Sequence, residues 1–369
     1  MSQNDKKRVI LCGPPVIRDR LTESKQFTFV PYGKADPAML DKINPAETAA
    51  VLLHFNSDDT NVVPFFELAR KNYPDLPCFI LCHERDQASL SHFGWQLIAI
   101  SERTPSLEIE DKLARSLFLF PLVKRDSLRR ILGVIKKIPA EATNHQRIMR
   151  RLQDPNFQLD DVVRIIKQDL ALTAQVLKIS NSAAFVRERP VQDVNEAVAV
   201  LGVTRLKILV SSAWAFFLMH DNVCPGFYPT MEWEHANIIA DVVAKRCEAL
   251  QFSAAAMDSA FIGAMLHDIG KLLLAANLPL DYSAVLKAAR TKEHGMWQAE
   301  NEMFGFNHAE VGGCLLAIWG LPLPLAETVL QHHSPSAPEN SPAALIIQAH
   351  EQVMPKRKKQ GDEEIDWID

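Results

Sequence analysis

The stretch AMLHDIGKLLL (264–274) sets a histidine beside an aspartate in an otherwise apolar run. Ionisable side chains are costly to bury without partners, so the rest of the chain must supply those partners. A divalent metal takes neutral imidazole nitrogens and carboxylate oxygens that converge from several segments. The chain has twelve histidines, and the candidates for such a cage are His235 in EWEHANIIADVVAKRC, the pair His267–Asp268, His308 in FNHAEVGGCLL, and His332–His333 in VLQHHSP.

Each candidate also has a reading that needs no metal. On one continuous helix His267 shares a face with Gly263 and Gly270, whose small size lets a second helix approach. Asp268 is then turned about 100° away, with Lys271 three residues on as a surface partner. Asn307 and Glu310 have the spacing of a capping box around His308. His332 and His333 close a helix begun at Pro324, where an imidazolium would meet the negative helix end. His235 opens a helix whose apolar face runs through Ile238, Ile239, Val242 and Val243.

The elements that must position these residues come in two rhythms. In residues 1–120, five short apolar runs alternate with helical patterns: RVILC (8–12), FTFVP (27–31), AAVLL (49–53), PCFIL (77–81) and QLIAI (96–100). Continuous apolar runs separated by helices predict a flavodoxin-like parallel sheet. Beyond about residue 105 the period becomes helical. In LDDVVRIIKQDLALTAQVLKIS, Val162, Ile165, Ile166, Leu170 and Ala174 fall on one face. Between the two lies a basic helix, LVKRDSLRRILGVIKKIPAE (122–141), and the chain ends in a charged tail, 355–369, expected to be disordered. Asn181 and Ser182 read as a helix stop.

The helical half resembles the HD superfamily of metal-dependent phosphohydrolases, and more closely its signalling relative, the HDOD domain, over residues 124–354. The resemblance rests on DLALTAQVLKISNSAAF (169–185), VNEAVAVLGVTRLKILVSS (194–212), MEWEHANIIA (231–240), IGAMLHDIGKLLL (262–274), FNHAEVGGCLLAIWGLP (306–322) and VLQHH (329–333). It implies an all-helical regulatory or scaffolding module. It also implies that the superfamily's metal ligands fall on His235, His267 and Asp268, and those of its Gly-Tyr-Pro phosphodiesterase branch on His308, His332 and His333. Two departures stand out. His350 occupies the place of a final ligating aspartate, and HHSPSAPENSP lacks a Gly-Tyr-Pro loop. Losing a carboxylate removes negative charge that a hydrolytic metal site uses, so the expected site is vestigial. No cofactor is expected, the alternative being a divalent ion (Mn, Fe or Mg).

The first half resembles a receiver domain stripped of its chemistry. Its first strand ends LCGPP without an acid, and His54 stands where a phosphate-accepting aspartate would be. Cys82 and Ser101 stand near the other switch positions, and Asp58 and Asp59 read as turn residues. The expected protein is therefore a degenerate receiver-like α/β domain (1–120), a linker helix (121–141) and an all-α HDOD domain (124–354, including that helix). It would regulate other signalling proteins by contact, with a homodimer as an option. The competing expectations are a phosphohydrolase acting on a nucleotide or cyclic dinucleotide, with Lys271 contacting phosphate, and nucleotide binding without turnover.

Bulk composition fits these readings. Forty basic against 45 acidic residues give a net charge of −5, so no overall basic field argues for nucleic acid. The start lacks the apolar core of a signal peptide. The longest apolar run noted, KILVSSAWAFFLM (207–219), is too short to span a membrane. Six cysteines without CxxC spacing suggest free thiols in a reducing cytoplasm.

Overall fold

The computed structural model describes residues 7–21, 24, 26–32, 40, 41, 43–55, 62–86, 97–134, 151, 158–167, 173, 176, 177, 180, 191, 193–203, 206, 223–292, 295–318 and 321–353. Asn181–Ser182, Asp58–Asp59, the run 207–219, residues 135–141 of the basic segment and the tail 355–369 lie outside them. The chain divides into two compact units, Met1–Pro121 and Leu122–Asp369.

The first unit is a five-stranded parallel sheet, β1 (Lys7–Cys12), β2 (Phe27–Tyr32), β3 (Thr48–His54), β4 (Cys78–Cys82) and β5 (Leu97–Ser101), in the order β2-β1-β3-β4-β5. All five apolar runs became strands, and the order is that of a flavodoxin-like doubly wound sheet. Alternation along each strand divides the core. Ile10, Val51, Leu53, Cys78 and Ile80 pack with Val62, Phe65, Phe66 and Ala69 of α2 (Val62–Asn72). Val9, Leu11, Leu52, Phe79 and Leu81 pack on the other side with Ile17 and Leu21 of α1 (Pro15–Leu21) and Ile109 and Leu113 of α3 (Ser106–Val123). At the strand ends, His54 Nε2 lies 3.3 Å from Glu102 Oε2.

The second unit is helical throughout its described residues. It contains α4 (Asp126–Val134), α5 (Leu159–Lys167), α6 (Val194–Val203), α7 (Pro229–Ala249), α8 (Ala254–Leu266), α9 (Ile269–Asn277), α10 (Pro279–Lys292), α11 (Met296–Phe304), α12 (His308–Ile318), α13 (Leu323–Gln331) and α14 (Pro342–Val353). Val162, Ile165 and Ile166 of α5 are buried on one face, and Val163 with them. The basic segment is broken: α3 runs on to Val123 and α4 starts at Asp126, where Leu128 and Ile131 are buried. Arg125, in the break, pairs with Glu310 of α12.

Five helices set the frame for these histidines: α7 packs on α8 and α14, and α13 on α8, α12 and α14. The stretch Ser259–Asn277 is long and apolar enough to cross a membrane, with a mean hydropathy of 1.3, against the expectation that no such run exists. Its burial (89%) within the helical unit marks it as a core segment instead.

Candidate metal centre

The expected single helix through AMLHDIGKLLL is interrupted. His267 ends α8 and Asp268 precedes α9 with φ −95° and ψ 9°. The physical consequence decides the site. Neighbours on one helix diverge by about 100°, whereas here His267 Nε2 and Asp268 Oδ2 converge to 2.9 Å. Lys271 does pair with Asp268, at 3.0 Å, but the pair is buried rather than on the surface (3% and 0% exposed).

His235 sits in the second turn of α7, on the buried face with Ala236, Ile239, Ala240, Val243 and Cys247. Ile238, expected on that face, is exposed. His308 starts α12, and the capping box around it forms: Glu310 N–H donates to Asn307 Oδ1, and Asn307 N–H to Glu310 Oε2, both at 3.1 Å. His332 caps the end of α13 with His333 following, and His350 lies in α14.

These side chains meet around Asp268. His235, His267 and His350 form one trio of potential ligands, and His308, His332 and His333 a second. Asp268 Oδ2 faces the first trio, 2.9 Å from His267 and 3.8 Å from His235. Oδ1 faces the second, 3.1 Å from His308 and 3.8 Å from His332. Nε2 atoms approach one another closely within each trio: His350 to His267 at 3.1 Å, His308 to His332 at 3.2 Å, and His333 to His308 at 3.0 Å. Every candidate named from the sequence is therefore in one cluster, and all but the half-buried His333 are buried.

The opposite ring nitrogens are anchored. His267 Nδ1 is 2.6 Å from Ala264 O, and His332 Nδ1 is 2.6 Å from Val329 O. His308 Nδ1 is 2.6 Å from Glu300 Oε2, while Tyr282 O–H donates to Glu300 Oε1 at 2.8 Å. Such outer contacts fix which nitrogen is left to face a metal. Glu300 of α11 and Tyr282 of α10 are both fully buried, and sequence reasoning missed them.

Electrostatics follow from the same contacts. Burial lowers the affinity of His308 for its proton, but Glu300 and Asp268 outweigh it and raise the pKa to about 9. His332 goes the other way: burial, then His333, His267 and His308, hold it well below the usual imidazole range. The expected imidazolium at the end of α13 is thus replaced by a neutral ring, the form that ligates metals. Tyr282 stays protonated, pushed up by burial and then by Glu300. All six cysteines are free and buried, and burial raises the thiol pKa of Cys12, Cys78 and Cys314 to about 12 and of Cys82, Cys224 and Cys247 to about 11. None supplies a thiolate nucleophile.

The donor set fits a pair of cations. Six imidazoles and one carboxylate with an oxygen toward each trio suit transition metals of the iron or zinc kind. Magnesium, which favours oxygen ligands, suits them poorly.

Comparison with known proteins adds the following. The family profile described as HDOD domain matches residues 138–335. An uncharacterized protein of Treponema pallidum (strain Nichols) is 28% identical over 206 residues, 56% of this chain and 39% of that protein. The chain thus spans well under half the length of this curated relative. The solved HDOD domain protein of unknown function from Geobacter sulfurreducens is 23% identical, with a TM-score of 0.49, covering 65% of this chain and 82% of that one. A provisionally named phosphohydrolase from Shewanella amazonensis SB2B is also 23% identical, with a TM-score of 0.48, over 64% of this chain and 83% of that one.

Proposed function

Starting from the premise that the chain belongs to the HDOD domain family, we propose that its helical unit is a signalling module built around a two-metal cage. His235, His267 and His350 would hold one ion, His308, His332 and His333 the other, and Asp268 would bridge them. The observation that carries this reading is the Asp268 carboxylate, with one oxygen 2.9 Å from His267 and the other 3.1 Å from His308. The vestigial site expected from the missing aspartate is the alternative to this reading, which is supported by His350 bringing a third imidazole to His235 and His267.

The module regulates by protein contact rather than by turnover. Burial of the cage supports this, since among the imidazoles only His333, stacked on Trp297 with ring centroids 5.9 Å apart, is partly open. One carboxylate among six imidazoles also offsets little of the charge of two divalent ions. Metal load would act by holding α7, α8, α12, α13 and α14 together, so that a partner reads their packing. The sheet unit is its receiver-like companion, with His54 in place of an acceptor aspartate.

Phosphoester hydrolysis is the second reading, favoured by the Lys271 ammonium on Asp268. When bound, two cations would supply Lewis acidity toward a phosphoryl oxygen. Lys271 would hold the bridging carboxylate, and the Glu232 carboxylate 3.8 Å away would steady the ammonium.

The experiment is metal analysis of the full chain purified without chelator, followed by assays on cyclic dinucleotides and nucleoside phosphates. About two transition-metal ions per chain, lost in Asp268→Asn, are expected, without turnover. Turnover that follows the metal would replace the regulatory reading by the hydrolytic one. A chain that binds no metal would end both.

A further inference from the structure

The two halves of the cage are close copies in their contacts with Asp268. Each contributes three imidazoles. Each has one ring near 3 Å from its own Asp268 oxygen (2.9 and 3.1 Å) and a second at 3.8 Å. Each also has one ring whose Nδ1 is held 2.6 Å from a helix carbonyl three residues earlier. His350 completes this equivalence. Its Nε2 is 3.1 Å from that of His267, and its ring centroid is 5.0 Å from that of His235. It lies beyond the residues matched by the family profile, on the last described helix.

We infer that His350 is a metal-selecting ligand: it makes the first half of the cage chemically equal to the second, so that the chain takes two like ions of the imidazole-preferring class, such as ferrous iron, and rejects manganese and magnesium from both halves. This rests on the two-metal reading above. The chemistry is that of donor softness. Imidazole nitrogens favour iron, zinc and their neighbours, whereas carboxylate and water oxygens favour manganese and magnesium. A carboxylate at position 350 would give one half a harder donor set than the other, and a cage with unlike halves can hold unlike ions. Three imidazoles on each side remove that distinction. Burial strengthens the effect, because His350 is 8% exposed and water has little room to replace its ring as a donor.

The test uses the full chain, stripped of metal and reloaded anaerobically with ferrous iron and manganese(II) at equal concentration, the bound ions being counted by mass spectrometry. The unaltered chain is expected to hold two iron ions and no manganese. His350→Asp is expected to take up manganese beside iron, which the unaltered chain does not. His333→Asp, the mirror change on the half-buried side, is expected to give the same mixed load. One iron and one manganese in the unaltered chain would overturn the inference, and that measurement stands even if a variant does not fold. Two iron ions in both folded variants would also overturn it, while leaving the two-metal cage intact. No bound metal in any chain would overturn the cage and the inference together.

Discussion

Glu300 meets His308 twice, accepting its backbone N–H at 2.7 Å and facing Nδ1 at 2.6 Å with the same oxygen. The ring therefore has one orientation, with Nε2 toward Asp268. Removing the charge at that oxygen should cost the second half of the cage about 10–100-fold in metal affinity. Glu300→Gln is expected to show this loss in a chelator-competition titration, with the ion held by His235, His267 and His350 unchanged. Equal loss at both halves would mean that Glu300 supports the whole fold instead. Tyr282→Phe removes the other bond to Glu300, and should lower stability by about 1.5–3 kcal/mol in urea denaturation. That His235, His267, Asp268, His308, His332 and His333 could converge was legible in the sequence, because ionisable side chains in apolar helices need partners. Glu300 and Tyr282 were not. An acid eight residues before His308 and a tyrosine on another helix look like ordinary surface and core residues until the fold brings them together.

Element packing explains why α12 can deliver His308 to Asp268 at all. A Cβ on Gly270 would lie 2.0 Å from the carbonyl oxygen of His308, which is backbone and cannot turn aside. Gly270→Ala must therefore separate α9 from α12. It should cost about 1–3 kcal/mol or more by overpacking and release the ion nearest His308, measured by urea denaturation and metal counting on the same sample. Gly133→Ala is the control. It lies in α4 with open space around it, and is expected to gain about 0.5–1 kcal/mol of helix stability. Gly263 and Gly270 were recognisable beforehand as points of close approach, and so was the capping box at Asn307–Glu310. The break between α8 and α9 was not. It contains no proline, and its only nearby glycine lies just inside the next helix, so nothing local announces it. The convergence of His267 and Asp268 is imposed by their neighbours in space. The inner strands β1, β3 and β4 were plain for the opposite reason, since buried parallel strands read as continuous apolar runs and need no partner to be recognised.

Across the whole molecule, the sheet unit has a core on both of its faces and the helical unit encloses the cage, so metal should stabilise them unequally. An ion that binds only the folded state contributes RT ln(1 + [L]/Kd), about 2.7 kcal/mol at a hundredfold excess over Kd. For a unit the size of Leu122–Asp369, stability of that order corresponds to roughly 5–10 °C in Tm. Chelation is thus expected to lower one calorimetric transition by that amount and leave the other where it was. The sheet unit should respond to neither metal nor a small phosphoryl donor. Its first strand leads into Gly13, Pro14 and Pro15 rather than into an acidic pair, and β3 ends on His54, beside Glu102, rather than on an aspartate. Among the described residues, the end of β1 carries no acidic pair of the kind that holds magnesium. His54→Asp alone should leave the chain unlabelled by acetyl phosphate, because a single carboxylate does not rebuild a magnesium site; labelling of that variant would sink this account of the sheet.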